Sequence, residues 1–198
     1  MKLRSIAIVL AFALASAAAH SQAGVYATFD AENFNLTGLF VNPPAGSSNS
    51  ADPWLYGPTF GAYYDISHIP KLGALHTGPF KVGIDGRGDV FRGAQYSRAD
   101  GLFGLRLSPK TPLAGIKPYI QGSFGIGHTK VPGALYYSNN LAYQFAIGAD
   151  RKLKHHVDWR IAEASAGFLG NYKAGSSATN SNYIVMVGTG FVFGLGGK

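Results

Sequence analysis

The sequence predicts an all-β fold, an eight-stranded antiparallel up-and-down transmembrane β-barrel, from three observations. Bulky apolar residues alternate with small or polar ones over runs of roughly ten residues, eight such runs recur, and their connections differ in length. Composition agrees: of 198 residues 27 are Gly and 13% are aromatic, while only 14% are charged. Soluble helical domains draw instead on Ala, Leu, Glu and Lys. Glycine and aromatics suit strands that approach closely and turn tightly.

Residues 1–23 read as an export signal. Lys2 and Arg4 precede an apolar run from Ile6 to Ala15, small residues follow, and His20-Ser21-Gln22-Ala23 ends the segment. That run is shorter than the roughly 20 residues a spanning helix needs. No later stretch is long enough either, so a membrane could be crossed only by strands. Hydrocarbon cannot satisfy an open sheet edge, which leaves a closed barrel. Residues 24–198 are then one barrel domain. The formal charge is +7, and losing Lys2 and Arg4 leaves +5 (7 − 2). The remaining Lys and Arg are scattered, which argues against nucleic-acid binding. The absence of Cys excludes a disulfide framework and any thiolate chemistry.

Strands are expected at Gly24–Phe34, Trp54–Ile66, Phe80–Asp89, Tyr96–Ser108, Gly115–Gly127, Leu141–Asp150, Val157–Leu169 and Tyr183–Leu195. The clearest sets Ile116, Pro118, Ile120, Phe124 and Ile126 against Lys117, Tyr119, Gln121, Ser123 and Gly125. A helix, with a period of 3.6, would scatter these sets around its circumference. Segments 35–53, 128–140 and 170–182 are long, polar loops; 108–113 and 151–156 are short. Two connections depart from strict alternation, 67–79 being long for a turn and 90–95 short for an outer loop.

The charges decide which face is inside. Asp65, Asp85, Asp89, Asp100, Asp150, Asp158, Lys81, Arg87, Arg98, Arg106, Lys117 and Arg160 all share the parity of the small residues. The interior of an eight-stranded barrel is only wide enough to be filled by side chains. Charges there pair across strands, whereas Arg or Lys facing lipid near the midplane costs about 2–4 kcal/mol. Bulky residues therefore face lipid, polar side chains plug the lumen, and Trp54, Tyr64, Tyr136, Tyr137, Trp159 and Tyr183 form interfacial girdles. A lipocalin-like soluble carrier would have the opposite polarity. One segment needs a correction: Arg160 and Glu163 fall on opposite faces unless a β-bulge near Ala162 turns Glu163, Ser165 and Gly167 inward.

Architecture, the run Asp158-Trp159-Arg160-Ile161-Ala162-Glu163 and the C-terminal Gly188-Thr189-Gly190-Phe191-Val192-Phe193 together resemble the small outer-membrane β-barrel superfamily. Its members include the OmpA and OmpX transmembrane domains and the Opa adhesins. The resemblance spans about residues 24–195 and specifies fold far better than activity. It implies an outer-membrane location, contact with lipid and lipopolysaccharide, and insertion by the barrel-assembly machinery. Met186 stands where the assembly signal prefers a polar residue, and Gly194 to Lys198 extend past the usual final aromatic.

No catalytic, cofactor-binding or metal site is expected. A lipid A deacylase would need a Ser near His128, and a palmitoyltransferase-like His/Asp/Ser set could draw only on His128, Asp52 and Ser47–Ser50, with no spacing that demands it. Gly122–Gly127 lacks the strand-to-helix context and the Lys of a phosphate loop. His155-His156 neighbours Arg151-Lys152-Leu153-Lys154, and adjacent strand residues point apart. Asn35-Leu36-Thr37 matches a glycosylation sequon of the kind that occurs by chance. The expected role is non-enzymatic, structural or surface-interacting, with loops 35–53, 128–140 and 170–182 as candidate contacts for an extracellular ligand. The alternatives are a lipid A-modifying enzyme and a small-molecule pore.

Overall fold

A computed structural model describes residues 23–34, 54–66, 78–94, 97–130, 137–171 and 182–195. They form β1 (Ala23–Phe34), β2 (Trp54–Asp65), β3 (Phe80–Arg92), β4 (Ser97–Pro109), β5 (Ile116–Lys130), β6 (Tyr137–Lys154), β7 (Val157–Asn171) and β8 (Asn182–Leu195). Each strand pairs antiparallel with its sequence neighbours, and β1 closes on β8 from Ala23↔Leu195 to Phe34↔Ile184. The barrel therefore has no free edge, as a sheet in hydrocarbon requires.

The expected strands are all present, several longer than read. β5 and β6 stay paired as far as Lys130↔Tyr137, through most of the segment 128–140 assigned to a loop. β6 also runs on to Lys154, leaving His155-His156 as the turn. Beyond an apolar belt a polar strand and a polar loop have the same composition, so polarity alone cannot place the boundary. The segments 1–22, 35–53, 131–136 and 172–181 lie outside the described residues, and with them the export signal, the sequon, Tyr136 and most of the expected loops.

Local chemistry explains the tight connections. Leu113 and Ile116 exchange backbone hydrogen bonds of 2.8 and 2.9 Å. Between them Ala114 and Gly115 take φ of 51° and 81°, the pair of positive values that a two-residue hairpin matched to strand twist demands.

The bulge falls where the charges require it. On β8 the register passes from Arg160↔Gly190 to Glu163↔Gly188, and on β6 from Asp150↔Arg160 to Ala149↔Ala162. Glu163 and Ser165 are consequently buried inside, with Phe168 exposed outside. A bulge frees a backbone carbonyl, and the Thr189 hydroxyl donates to that of Arg160 at 2.8 Å. The Trp159 indole donates in turn to Thr189 at 3.1 Å. The outer wall thus keeps its backbone satisfied.

The polarity is inside-out. Phe29, Phe60, Phe103, Phe124, Phe145 and Val187 stand exposed on the outer wall, Phe124 at 59%. Arg160, at 0%, is the largest fully buried side chain. Trp54 and Tyr183 at one end, and Trp159 at the other, face outward as girdle residues should; Tyr64 is half-buried.

Candidate functional site: the lumen and its two mouths

Three arginines and three tyrosines stack across the lumen. Arg106 lies over Tyr119 at 3.6 Å and over Tyr63 at 4.5 Å from the ring centroids. Arg160 lies over Tyr26 at 4.2 Å and Tyr119 at 4.9 Å, and Arg87 over Tyr26 at 5.9 Å. The rings present their electron-rich faces to planar cations, a contact that strengthens as water is excluded. Three carboxylates bind the stack together. Asp150 accepts from Arg106 Nη2 at 2.7 Å and from Arg160 Nε at 3.0 Å. Glu163 accepts from Arg160 Nη1 at 2.9 Å, from Arg87 Nη1 at 2.7 Å and from the Tyr119 hydroxyl. Asp85 accepts from the Tyr26 hydroxyl at 2.9 Å and from Gln121 Nε2 at 2.8 Å, with Arg87 Nε at 3.7 Å. Three guanidinium groups face three carboxylates, so this belt is neutral. Polar amides extend it: Arg87 donates to Gln144 at 3.2 Å, and Gln144 to Ser165 at 2.9 Å.

Glycines make room for the tyrosines. Tyr26 registers with Gly61, Tyr63 with Gly24 and Tyr119 with Gly148. A Cβ at Gly61 would lie 2.3 Å from the Tyr26 ring, at Gly148 2.4 Å from that of Tyr119, and at Gly24 2.7 Å from that of Tyr63. Each ring therefore lies flat across a strand that carries no side chain at that point. Such pairings depend on cross-strand register, and sequence inspection missed them.

The two ends of the lumen differ. The loop end, opposite the Ala23↔Leu195 pair, holds an apolar cluster of Leu55, Phe91, Leu102, Leu169, Ile184 and Met186, with Ala142. Apolar packing at this end thus adds to the polar plug expected of the lumen. Near the strand ends both faces of a strand carry apolar residues, so the alternation that marks the inner face fades. Beside the cluster sit Asp30, Glu32, Asp89 and Asp100, with Arg98 bound to Glu32 at 2.5 Å and to Asp100. Asp30 accepts from Thr28 at 2.8 Å. The turn end, where Ala23 of β1 meets Leu195 of β8, opens instead into a cavity of about 380 Å³ bordered by Lys81, Lys110, Lys117, Lys152, Asp65 and Asp158. There Lys117 pairs with Asp158 at 2.5 Å and Lys81 with Asp65 at 3.6 Å. Arg106 and Asp150 form the floor of this cavity, and the stacked belt lies beyond them.

Of the side chains weighed for chemistry, the structure describes His128, His155 and His156. His128 is exposed at the loop end, its Nδ1 2.7 Å from Asn139 Oδ1; Asp52 and Ser47–Ser50 lie outside the described residues. His155 and His156 do meet, Nδ1 to Nε2 at 3.1 Å with ring centroids 4.5 Å apart. They occupy a turn, where the opposed directions of adjacent strand residues no longer apply. Among the described residues no group of three or more His, Asp or Glu side chains is placed to hold a metal ion.

A closed eight-stranded barrel with an apolar outer wall and a buried ionic lumen defines the transmembrane class of outer-membrane type. A known structure agrees on the fold. The chain is similar to Neisserial surface protein A, at 13% identity over 87% of this chain and 96% of that one, with a TM-score of 0.56. It also matches the N-terminal β-barrel domain of Pseudomonas aeruginosa OprF (14% identity; 86% and 97% covered; TM-score 0.41). A third match is Ail, the attachment invasion locus protein of Yersinia pestis (9% identity; 87% and 99% covered; TM-score 0.42). No family model matches the sequence, and no curated protein does.

Proposed function

We propose that the chain is a non-enzymatic outer-membrane protein with a structural or surface-interaction role. Segment 1–23 exports it, and the barrel-assembly machinery inserts it through the Gly188–Phe193 signal. Lipid and lipopolysaccharide surround its belt, and the parts of 35–53, 128–140 and 170–182 that connect the strands face an extracellular ligand. The observation that carries this reading is the inverted polarity: Phe124 and Phe145 outside, Arg87 and Arg160 inside. Water offers no reason to expose such a belt, and a monomeric soluble protein rarely leaves so much contiguous apolar surface open. The sealed lumen supports a role without transport.

The decisive test is a charge on the belt. Phe145→Arg is expected to lower stability in lipid vesicles by about 2–4 kcal/mol, the cost of a midplane cation on a lipid-facing strand. A neutral effect in urea unfolding would return the soluble-carrier reading. Planar-bilayer recording should give no stable conductance. Lipid A from cells with and without the gene should be identical by mass spectrometry.

A further inference from the structure

Among the described residues charge is segregated by sign. Every carboxylate is buried or half-buried in the lumen, whereas the exposed charges are all cations: Arg92, Lys110, Lys130, Arg151, Lys152 and Lys154. Lys110, Arg151, Lys152 and Lys154 lie at the turn end, on the β4–β5 and β6–β7 hairpins, with Lys110 and Lys152 bordering the lumen cavity. These hairpins adjoin, because Ile116 of β5 registers with Arg151 of β6. Arg151 also registers with Trp159 of β7, and all three side chains are exposed on the outer wall. Next to them Leu113 and Leu153 stand 63% and 52% exposed.

We infer that this sector of the turn-end rim is a binding site for anionic phospholipid, Arg151 and Lys154 holding the phosphate and Leu113, Leu153 and Ile116 contacting the upper acyl chains. The inference rests on the membrane reading above. Charge complementarity selects an anion, since every carboxylate among the described residues lies on the lumen side of the strands, away from the outward-facing Arg151. The leucines select a lipid over a soluble polyanion, because a polymer in water gives exposed leucines nothing to contact. An arginine between an indole and an isoleucine at the edge of an apolar belt is placed to lay its stem along hydrocarbon and its guanidinium among phosphates.

The test uses the barrel refolded into mixed phosphatidylethanolamine and phosphatidylglycerol vesicles, released into detergent, with retained lipid identified by native mass spectrometry. Phosphatidylglycerol should be retained preferentially, by a factor on the order of five for each basic residue near the headgroup plane. Arg151→Gln with Lys154→Gln should bring the ratio close to that of the bulk lipid. The matching change at the other rim, Arg92→Gln with Lys130→Gln, should leave it unchanged. Leu113→Ser with Leu153→Ser should weaken lipid retention, and soluble glycerol phosphate should not displace the lipid. Equal retention of both lipids, equal loss from either rim, or displacement by glycerol phosphate would each overturn the site. Heat-modifiable migration separates the two levels. A chain that never becomes heat-modifiable overturns the membrane reading and this inference with it, whereas a folded barrel without lipid preference overturns the inference alone.

Discussion

The two halves of the lumen solve one problem by different means. Toward the turn end the space is filled by the Tyr63–Arg106–Tyr119–Arg160–Tyr26–Arg87 stack, neutralised by Asp85, Asp150 and Glu163. Toward the loop end it is filled by Leu55, Phe91, Leu169 and Ile184, with a single arginine, Arg98, among several carboxylates. The first half depends on matching charges and is intolerant of losing any one of them. The second depends on volume, as an ordinary core does. The stack also joins residues from different strands, Glu163 alone linking β7 to Arg87 of β3 and Tyr119 of β5.

This contrast can be broken experimentally. The largest effect is expected from Arg160→Met, which strands Asp150 and Glu163 without their shared partner. A buried pair broken on one side costs about 3–5 kcal/mol, measurable by urea unfolding in vesicles. Phe91→Ala should cost about 3 kcal/mol by leaving a cavity. Combined with Arg160→Met it should be additive to within about 0.5 kcal/mol, because the two residues share no partner. Arg87→Met combined with Arg160→Met should not be additive, since both arginines bind Glu163. A coupled Phe91–Arg160 pair would dissolve the distinction between the halves. Gly148→Val should cost about 1–3 kcal/mol by displacing the Tyr119 ring. Smallest of all, Lys81→Gln at the open mouth should change stability by less than about 1 kcal/mol, its partner Asp65 being 3.6 Å away beside solvent.

Much of this was legible in the sequence, because a period of two fixes which residues share a wall. The parity of Asp85, Arg87, Arg106 and Arg160 sufficed to place them inside, and the conflict between Arg160 and Glu163 sufficed to demand a bulge. What parity cannot supply is register. It offered no means of matching Tyr119 to Gly148, or of placing Asp150 between Arg106 and Arg160. Depth was equally hidden: Leu55 and Ile184 are apolar and inward, and only the closed barrel gathers them at one end. The meeting of His155 and His156 was missed because β6 ended later, and its turn was tighter, than composition suggested.

The tyrosine–glycine couples also bear on how the barrel assembles. A strand that slips by two residues keeps the same side chains on the same face, so polarity alone would not reject it. Such a slip would set Tyr26 against Thr59 or Tyr63, and Tyr119 against Ala146 or Asp150, instead of a bare backbone. The flat rings would then collide with side chains. The β1–β2 and β5–β6 hairpins thus carry their own alignment marks, legible to each pair of strands before the ring of eight is complete.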